Sequence, residues 1–145
     1  WEPSVEIYTQ DCPLFVPLVE NGFIRRDETV THLIAEKYLS SLRDKGVDTL
    51  ILGCTHYPLI SHIIADIMGE GVSLIDTGRE AALWASEILT KKHLLNSQSA
   101  QGRREFFVSD EVDSFSAIGA MFLDLGGPVR HIDIEQYPPV SVACL

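Results

Sequence analysis

The chain has 145 residues, of which 46% are hydrophobic and 22% are charged, a composition typical of a globular protein and unlike that of a disordered one. Its formal net charge is −10, from 11 basic and 21 acidic residues without a basic stripe, which argues against a nucleic-acid partner. Its three cysteines are scattered, which argues against a disulfide scaffold and favours the cytoplasm. No apolar stretch is long enough to cross a bilayer, which argues against a membrane protein.

The first elements predicted along the chain are two strands separated by a helix. Val5–Thr9 is expected to form a short strand, and the proline-containing apolar run over residues 12–20 a loop with a helical turn. Asp27 is expected to cap a helix that carries apolar residues at helical spacing and ends at Gly46. Thr49–Leu52 is the continuous apolar run expected of a central parallel strand.

The rest of the chain continues this alternation of strands and helices. Further strands are expected over residues 72–75, 105–109 and 129–134, and further helices after Pro58, after Asp76 and over residues 113–124. The polar run over residues 96–102 is expected to be a loop, and the tail over 138–145 shows no period. The alternation predicts an α/β fold with three αβα layers and parallel-type sheets.

The segment Gly53–Pro58 (GCTHYP) lies where a buried strand is predicted to end and a helix to begin. Because ligands in open α/β sheets bind beyond the carboxyl ends of the strands, Cys54 is expected at that edge. The N–H groups of residues 55–57 at the helix N-terminus favour a carboxylate or another anion, and the same positive end favours thiolate over thiol. His56 can relay a proton or donate a hydrogen bond to a substrate.

Spacing alone therefore predicts an anion site beside a thiol that can react, with a small buried structural cysteine as the competing interpretation of Cys54. Cys54 and His56 supply two metal ligands at most, and zinc usually takes four, so no metal site is predicted.

Two motifs in register resemble blocks of the glutamate racemase family. Residues 53–59 (GCTHYPL) resemble its second catalytic motif, and residues 12–20 (CPLFVPLVE) resemble an upstream block at about the expected spacing. Asp76 and Thr77 before the third helix also fit, and the resemblance extends over most of the chain. The related aspartate racemases also have a Gly-Cys-Thr turn but typically place Glu at the position of His56, which favours glutamate as the substrate.

The resemblance implies a cofactor-independent 1,1-proton transfer between L- and D-glutamate, in which two cysteines face opposite sides of the α-carbon. By matching position, Cys54 would be one of the two acid/base groups, and Thr55 would hold the substrate. His56 would assist Cys54 and contact the substrate. Glu20 matches a family carboxylate that supports this histidine, with a plain surface role as the alternative.

The first catalytic motifs of the family, an Asp-Ser pair and a Cys-Asn-Thr turn, do not occur in this sequence. Cys12 is interpreted as a structural residue and Cys144 as a tail residue, so neither replaces the second thiol. The chain therefore resembles the C-terminal portion of a two-domain aspartate/glutamate racemase-like fold. Residues 1–76 would be part of its middle domain, and residues 77–145 would complete its first domain. This portion alone is expected to be inactive.

The family supplies D-glutamate for bacterial peptidoglycan synthesis, and its members are often homodimers. The resemblance thus implies glutamate as the substrate, a homodimer for the intact enzyme and no cofactor. Three alternatives stay open at this point: a racemase of the same fold for aspartate or another amino acid, a hydrolase or transferase that uses Cys54 with His56 as its base, and a non-catalytic anion-binding module.

Overall fold

A computed structural model describes residues 4–98, 102–122 and 125–137, and divides the chain into two units between Ser97 and Gln98. The first unit contains α1 (Phe15–Glu20), α2 (Thr29–Asp44), β1 (Thr49–Leu52), a 3-10 helix (Tyr57–Ile60), α3 (Ser61–Met68), β2 (Ser73–Asp76) and α4 (Thr77–Lys91). The second unit contains β3 (Phe106–Val108), α5 (Val112–Phe122), β4 (Val129–His131) and a 3-10 helix (Ile134–Gln136). The predicted α/β class is confirmed, and the predicted irregular tail over 138–145 lies outside the described residues.

Each unit contains a two-stranded parallel sheet. In the first unit, Thr49 lies opposite Ser73 and Leu52 lies opposite Asp76, and β3 pairs with β4 in the same direction in the second. Within the part of the chain that the structure describes, β1 pairs with β2 alone, so it is an edge strand and not the central strand that its apolar sequence predicted. Ile51 of this strand is also 64% exposed.

The predicted strand over Val5–Thr9 is wrong, because this segment has no regular secondary structure. Its residues favour strands, but a strand also needs a neighbouring backbone to bond with. No backbone–backbone hydrogen bond joins Val5–Thr9 to any other described residue, and Val5 and Ile7 remain exposed.

The core of the first unit lies between α1, α2, α3 and the end of β1. Its buried apolar residues are Cys12, Phe15, Val19, Ala35, Leu39, Leu42, Leu52, Ile60, Ile63, Ile64 and Met68. Phe15 packs edge-on against Tyr38 and Tyr57, with ring centroids 5.5 and 5.3 Å away. Because Tyr57 lies five residues after the end of β1, these contacts hold the far end of the turn that leaves the strand against the core.

Glycines end two of the helices, whereas the start of α2 differs by one residue from the prediction. Gly46 and Gly69 end α2 and α3 with φ values of +69° and +88°, which residues other than glycine rarely adopt. The predicted N-cap at Asp27 is wrong by one residue, since Glu28 occupies the N-cap position of α2, without a side-chain cap hydrogen bond. The carboxylate of Asp27 instead accepts two hydrogen bonds from Arg25, at 3.0 and 2.8 Å, which lower its pKa. In the described residues, no helix has the length and apolarity needed to span a membrane.

Asp76 caps α4, the helix that the sequence predicted to begin after it. Its Oδ1 accepts hydrogen bonds from the backbone N–H groups of Gly78 and Arg79, at 2.9 and 3.1 Å. We expect Asp76→Ala to destabilise the protein by about 1 kcal/mol, because the first turn of the helix loses its acceptor. Thermal unfolding followed by circular dichroism measures this loss. Glu80→Ala, an exposed change in the same turn, is the control, and an equal loss in both variants would contradict the capping role.

Candidate active site

The turn after β1 holds Cys54 at the carboxyl end of the sheet, where the sequence placed it. β1 ends at Leu52, and the carbonyl of Cys54 accepts a hydrogen bond from the N–H of Tyr57 at 3.2 Å. Pro58 lies at the start of the following 3-10 helix, where its missing N–H costs little. Cys54 is half-buried and not sealed in the core, so its thiol is accessible for chemistry.

A line of three side chains connects Cys54 to α1. The Sγ of Cys54 lies 3.8 Å from Nδ1 of His56, and Nε2 of His56 lies 3.2 Å from Oε1 of Glu20. Glu20 is the last residue of α1, so helix packing brings its carboxylate to a histidine that lies 36 residues further along the chain. With Nε2–H donating to Glu20, Nδ1 can accept a proton from the thiol, and the carboxylate stabilises the resulting imidazolium.

The hydroxyl of Thr55 completes the predicted set. It is exposed, and its Oγ1 lies 3.4 Å from Nδ1 of His56. The structure thus brings together all four of the residues that the sequence singled out, Cys54, Thr55, His56 and Glu20. The predicted anion cradle is smaller than expected, because the N–H of Tyr57 is already bonded to the carbonyl of Cys54.

Cys12 lies in a different environment from Cys54. It is 7% exposed, and burial together with the nearby charge of Asp11 raises its pKa to about 11. It therefore stays a neutral thiol near pH 7, in agreement with its interpretation as a structural residue.

Tyr57 is the residue of this site to which the sequence gave no role of its own. Its ring packs on Phe15. Burial is the main cause of the raised pKa of its hydroxyl, and the nearby Cys12 and Cys54 raise that pKa further. Its position between His56 and Pro58 could have predicted this role. An aromatic residue directly before a proline, just after a strand, is well placed to pack the turn against the core. Among the residues described, no group of three His, Cys, Asp or Glu side chains is arranged to hold a metal ion.

Comparison with curated proteins identifies the relatives of this chain, although no family model matches the sequence. A glutamate racemase of Geobacter metallireducens is 50% identical over 121 residues, which make up 83% of this chain and 44% of that protein. The chain is a glutamate racemase homologue. A glutamate racemase of a Thermoanaerobacter species is 42% identical over 137 residues, or 94% of this chain and 51% of the relative. The homologue thus spans about half the length of the curated glutamate racemases it matches.

Solved structures agree with this assignment. A glutamate racemase from Francisella tularensis in complex with D-glutamate superposes with a TM-score of 0.81 at 34% identity, over 94% of this chain and 50% of that one. The isoform RacE1 glutamate racemase from Bacillus anthracis gives a TM-score of 0.81 at 31% identity, over 92% and 49% of the two chains. The fold of this chain therefore resembles that of about half of each of these glutamate racemases.

Proposed function

We propose that this chain provides one of the two acid/base faces of a glutamate racemase. Cys54 would exchange the α-proton on one face of glutamate, and a second cysteine, from the half of the enzyme that this chain does not cover, would work on the opposite face. The observation that supports this most directly is the line from Glu20 through His56 to Cys54 at the carboxyl end of β1. It occurs in a homologue of enzymes named for this reaction.

The proton balance of the proposed reaction needs only two sulfur atoms. A thiolate takes the α-proton and becomes a thiol, while the opposite thiol gives its proton to the other face and becomes a thiolate. His56 lies beside Cys54 and can hold a proton at Nδ1, and Glu20 fixes the orientation of the imidazole ring. Thr55 offers an exposed hydroxyl next to this pair to the polar groups of the substrate.

The half of the enzyme that this chain does not cover would have to supply what the reaction still needs. The α-proton of an amino acid is weakly acidic, so the developing negative charge needs preorganised donors and a site closed to water. Cys54 and Thr55 lie at an open sheet edge in this chain, so a second domain must close over them. We therefore also propose the arrangement that the sequence predicted: residues 1–76 in the middle domain, and residues 77–145 completing the first.

Further parts of the proposal rest on the family alone. Glutamate, and not aspartate, would be the substrate, and no cofactor would take part. The intact enzyme would be a cytoplasmic homodimer that supplies D-glutamate for peptidoglycan synthesis.

The test uses a chimera in which this chain replaces the matching half of the Geobacter metallireducens enzyme. The chimera is incubated with L-glutamate in deuterated water, and circular dichroism and proton NMR follow optical activity and the α-proton signal. We expect optical activity to be lost as deuterium enters the α position, with L-aspartate unchanged under the same conditions. A folded chimera that leaves L-glutamate optically active and unexchanged would contradict the proposal.

A cysteine hydrolase is the second candidate, because an oriented carboxylate–imidazole–thiol line is also the arrangement that activates a nucleophilic cysteine. Mass spectrometry of the chimera after incubation with p-nitrophenyl acetate distinguishes the two. Turnover through an acyl adduct on Cys54, without α-proton exchange on glutamate, would favour the hydrolase.

The role of Glu20 can be tested separately in the chimera. We expect Glu20→Gln to lower kcat by about 10- to 100-fold with a small change in KM, because an oriented acid/base contributes about 10²–10⁴-fold and this variant loses only the orienting charge. Glu70→Gln is the matched control, since Glu70 is an exposed carboxylate just after α3. Equal activity of the two variants would show that the carboxylate of Glu20 does not act through His56.

A further inference from the structure

Two aromatic rings connect the helix that carries Glu20 to the turn that carries Cys54. Phe15, the first residue of α1, packs edge-on against Tyr57, with ring centroids 5.3 Å apart and ring planes at 89°. This is the edge-to-face arrangement that aromatic pairs favour. Phe15 is 1% exposed, so the contact lies in the core and not at the surface. The two rings thus join α1 to the turn from inside the protein.

The backbone around Tyr57 is bonded to the acid/base residues themselves. Its N–H donates a hydrogen bond to the carbonyl of Cys54 at 3.2 Å, and the N–H of Leu59 donates to the carbonyl of His56 at 3.1 Å. Pro58 follows directly, and its ring restricts the backbone at that point. Because the turn is closed by its own hydrogen bonds, a shift of the Tyr57 ring would carry His56 with it.

The contact between Glu20 and His56 is too weak to hold α1 and the turn together by itself. The two side chains are 40% and 21% exposed, and ion pairs in contact with water contribute little to stability. α1 has only six residues, and its N-terminus has no side-chain cap. Burial of aromatic surface is the larger contribution. The packing of Phe15 on Tyr57 therefore sets the 3.2 Å distance between the imidazole and the carboxylate, and not the reverse.

We propose that Tyr57 is a positioning residue of the acid/base site: its ring, held by Phe15, keeps His56 within reach of Glu20 and so keeps the imidazole oriented toward Cys54. The ring and not the hydroxyl carries this role, because the ring makes the contact with Phe15. The proposal rests on the proposed function, since the orientation of His56 matters for turnover only if Cys54 exchanges the α-proton.

Tyr38 offers a matched control for Tyr57. It also packs edge-on against Phe15, with ring centroids 5.5 Å apart and planes at 70°, but it belongs to α2 and not to the turn. We expect Tyr57→Leu and Tyr38→Leu to lower the urea midpoint of the chimera by similar amounts, because each removes one ring from Phe15. Only Tyr57→Leu is expected to disturb the site. Tyr57→Phe keeps the ring and is the conservative rescue.

Racemisation of glutamate by the chimera is the first readout. We expect Tyr57→Leu to lower kcat by about 10- to 100-fold with a small change in KM, because a small misplacement of an acid/base group costs a factor of this order. Tyr57→Phe and Tyr38→Leu are expected to stay close to the parent. An equal loss in Tyr57→Phe would assign the role to the hydroxyl, and an equal loss in a folded Tyr38→Leu would assign it to general loosening of the core. Either result would overturn the proposal.

A double-mutant cycle shows whether Tyr57 acts through Glu20. Glu20→Gln already loses the orienting charge, so adding Tyr57→Leu is expected to lower kcat by much less than it does in the parent chimera. If the two losses multiply in full, the ring acts by another route and the proposal is overturned. Should Tyr57→Leu not fold, Tyr57→Met takes its place, because a flexible methionine fills the space of the ring without its shape.

Nitrogen NMR of the chimera with isotope-labelled histidine adds a readout that does not require turnover, and the signal of His56 is assigned by its loss in His56→Gln. At alkaline pH, where the ring is neutral, we expect a single Nε2–H tautomer in the parent and in Tyr38→Leu, since Nε2 donates to Glu20. Tyr57→Leu is expected to show a mixture of tautomers.

The same spectra separate this proposal from the proposed function. A single Nε2–H tautomer in a folded Tyr57→Leu chimera would overturn the positioning role, whether or not the protein racemises glutamate. The expected spectra in a chimera that leaves L-glutamate unchanged would support the positioning role and contradict the proposed function.

Discussion

The isolated 145-residue chain is expected to leave L-glutamate optically unchanged, at a rate at least about 10³-fold below that of the chimera. Among the described cysteines only Cys54 lies at the site, since Cys12 is buried with a pKa raised to about 11. One acid/base group cannot remove a proton from one face of the α-carbon and deliver another to the opposite face. The open sheet edge also leaves water in contact with Cys54, which weakens every electrostatic contribution.

Circular dichroism of L-glutamate incubated with the purified chain measures this directly. The chimera at the same concentration is the positive control, and far-ultraviolet circular dichroism confirms that the isolated chain is folded. Racemisation by the folded isolated chain at a rate near that of the chimera would contradict the proposal that each half of the enzyme supplies one of the two thiols.

The second large effect is expected from Cys54→Ser in the chimera, with a loss of interconversion of at least about 10³-fold. A serine hydroxyl is far less acidic than a thiol, so it cannot take up and release the α-proton beside His56. The conservative change keeps the size of the side chain, so we expect unfolding by urea to be almost unaffected.

Cys12→Ser is the matched control for this substitution. Cys12 lies in the core, so a hydroxyl there is expected to destabilise the protein by about 1–2 kcal/mol, while racemisation of the folded variant stays within a small factor of the parent. Similar losses of activity in the two variants, both shown to be folded by circular dichroism, would refute the assignment of Cys54.

The features that the sequence predicted best are those decided by neighbouring residues. The bounds of β1, Thr49–Leu52, agree with its apolar run, and α4 begins directly after Asp76, as predicted. Glycines ended two helices because their backbone conformation is a local property. The turn at Cys54 belongs to the same class, since a strand end, a glycine and a proline lie within six residues.

The features that the sequence could not settle depend on distant partners. Val5–Thr9 has strand-forming residues but lacks a strand to pair with, so its propensity is not realised. Asp27 does not cap α2: Glu28 occupies the N-cap position without a side-chain cap hydrogen bond, and the carboxylate of Asp27 accepts hydrogen bonds from Arg25. Glu20 was identified through the family resemblance alone, because only the packing of α1 brings it within 3.2 Å of His56.

The junction between β2 and α4 has a mechanical consequence for the site. Strand and helix meet at Asp76 and Thr77 without an intervening loop, and the hydroxyl of Thr77 donates a hydrogen bond to the carbonyl of Leu52 at 3.3 Å. Leu52 lies two residues before Cys54. Because no flexible loop separates β2 from α4, a movement of α4 also moves the residues next to Leu52. A displacement of that helix would therefore reach the end of β1 both through the pairing of β2 with β1 and through the hydroxyl of Thr77, and it would shift the sulfur of Cys54.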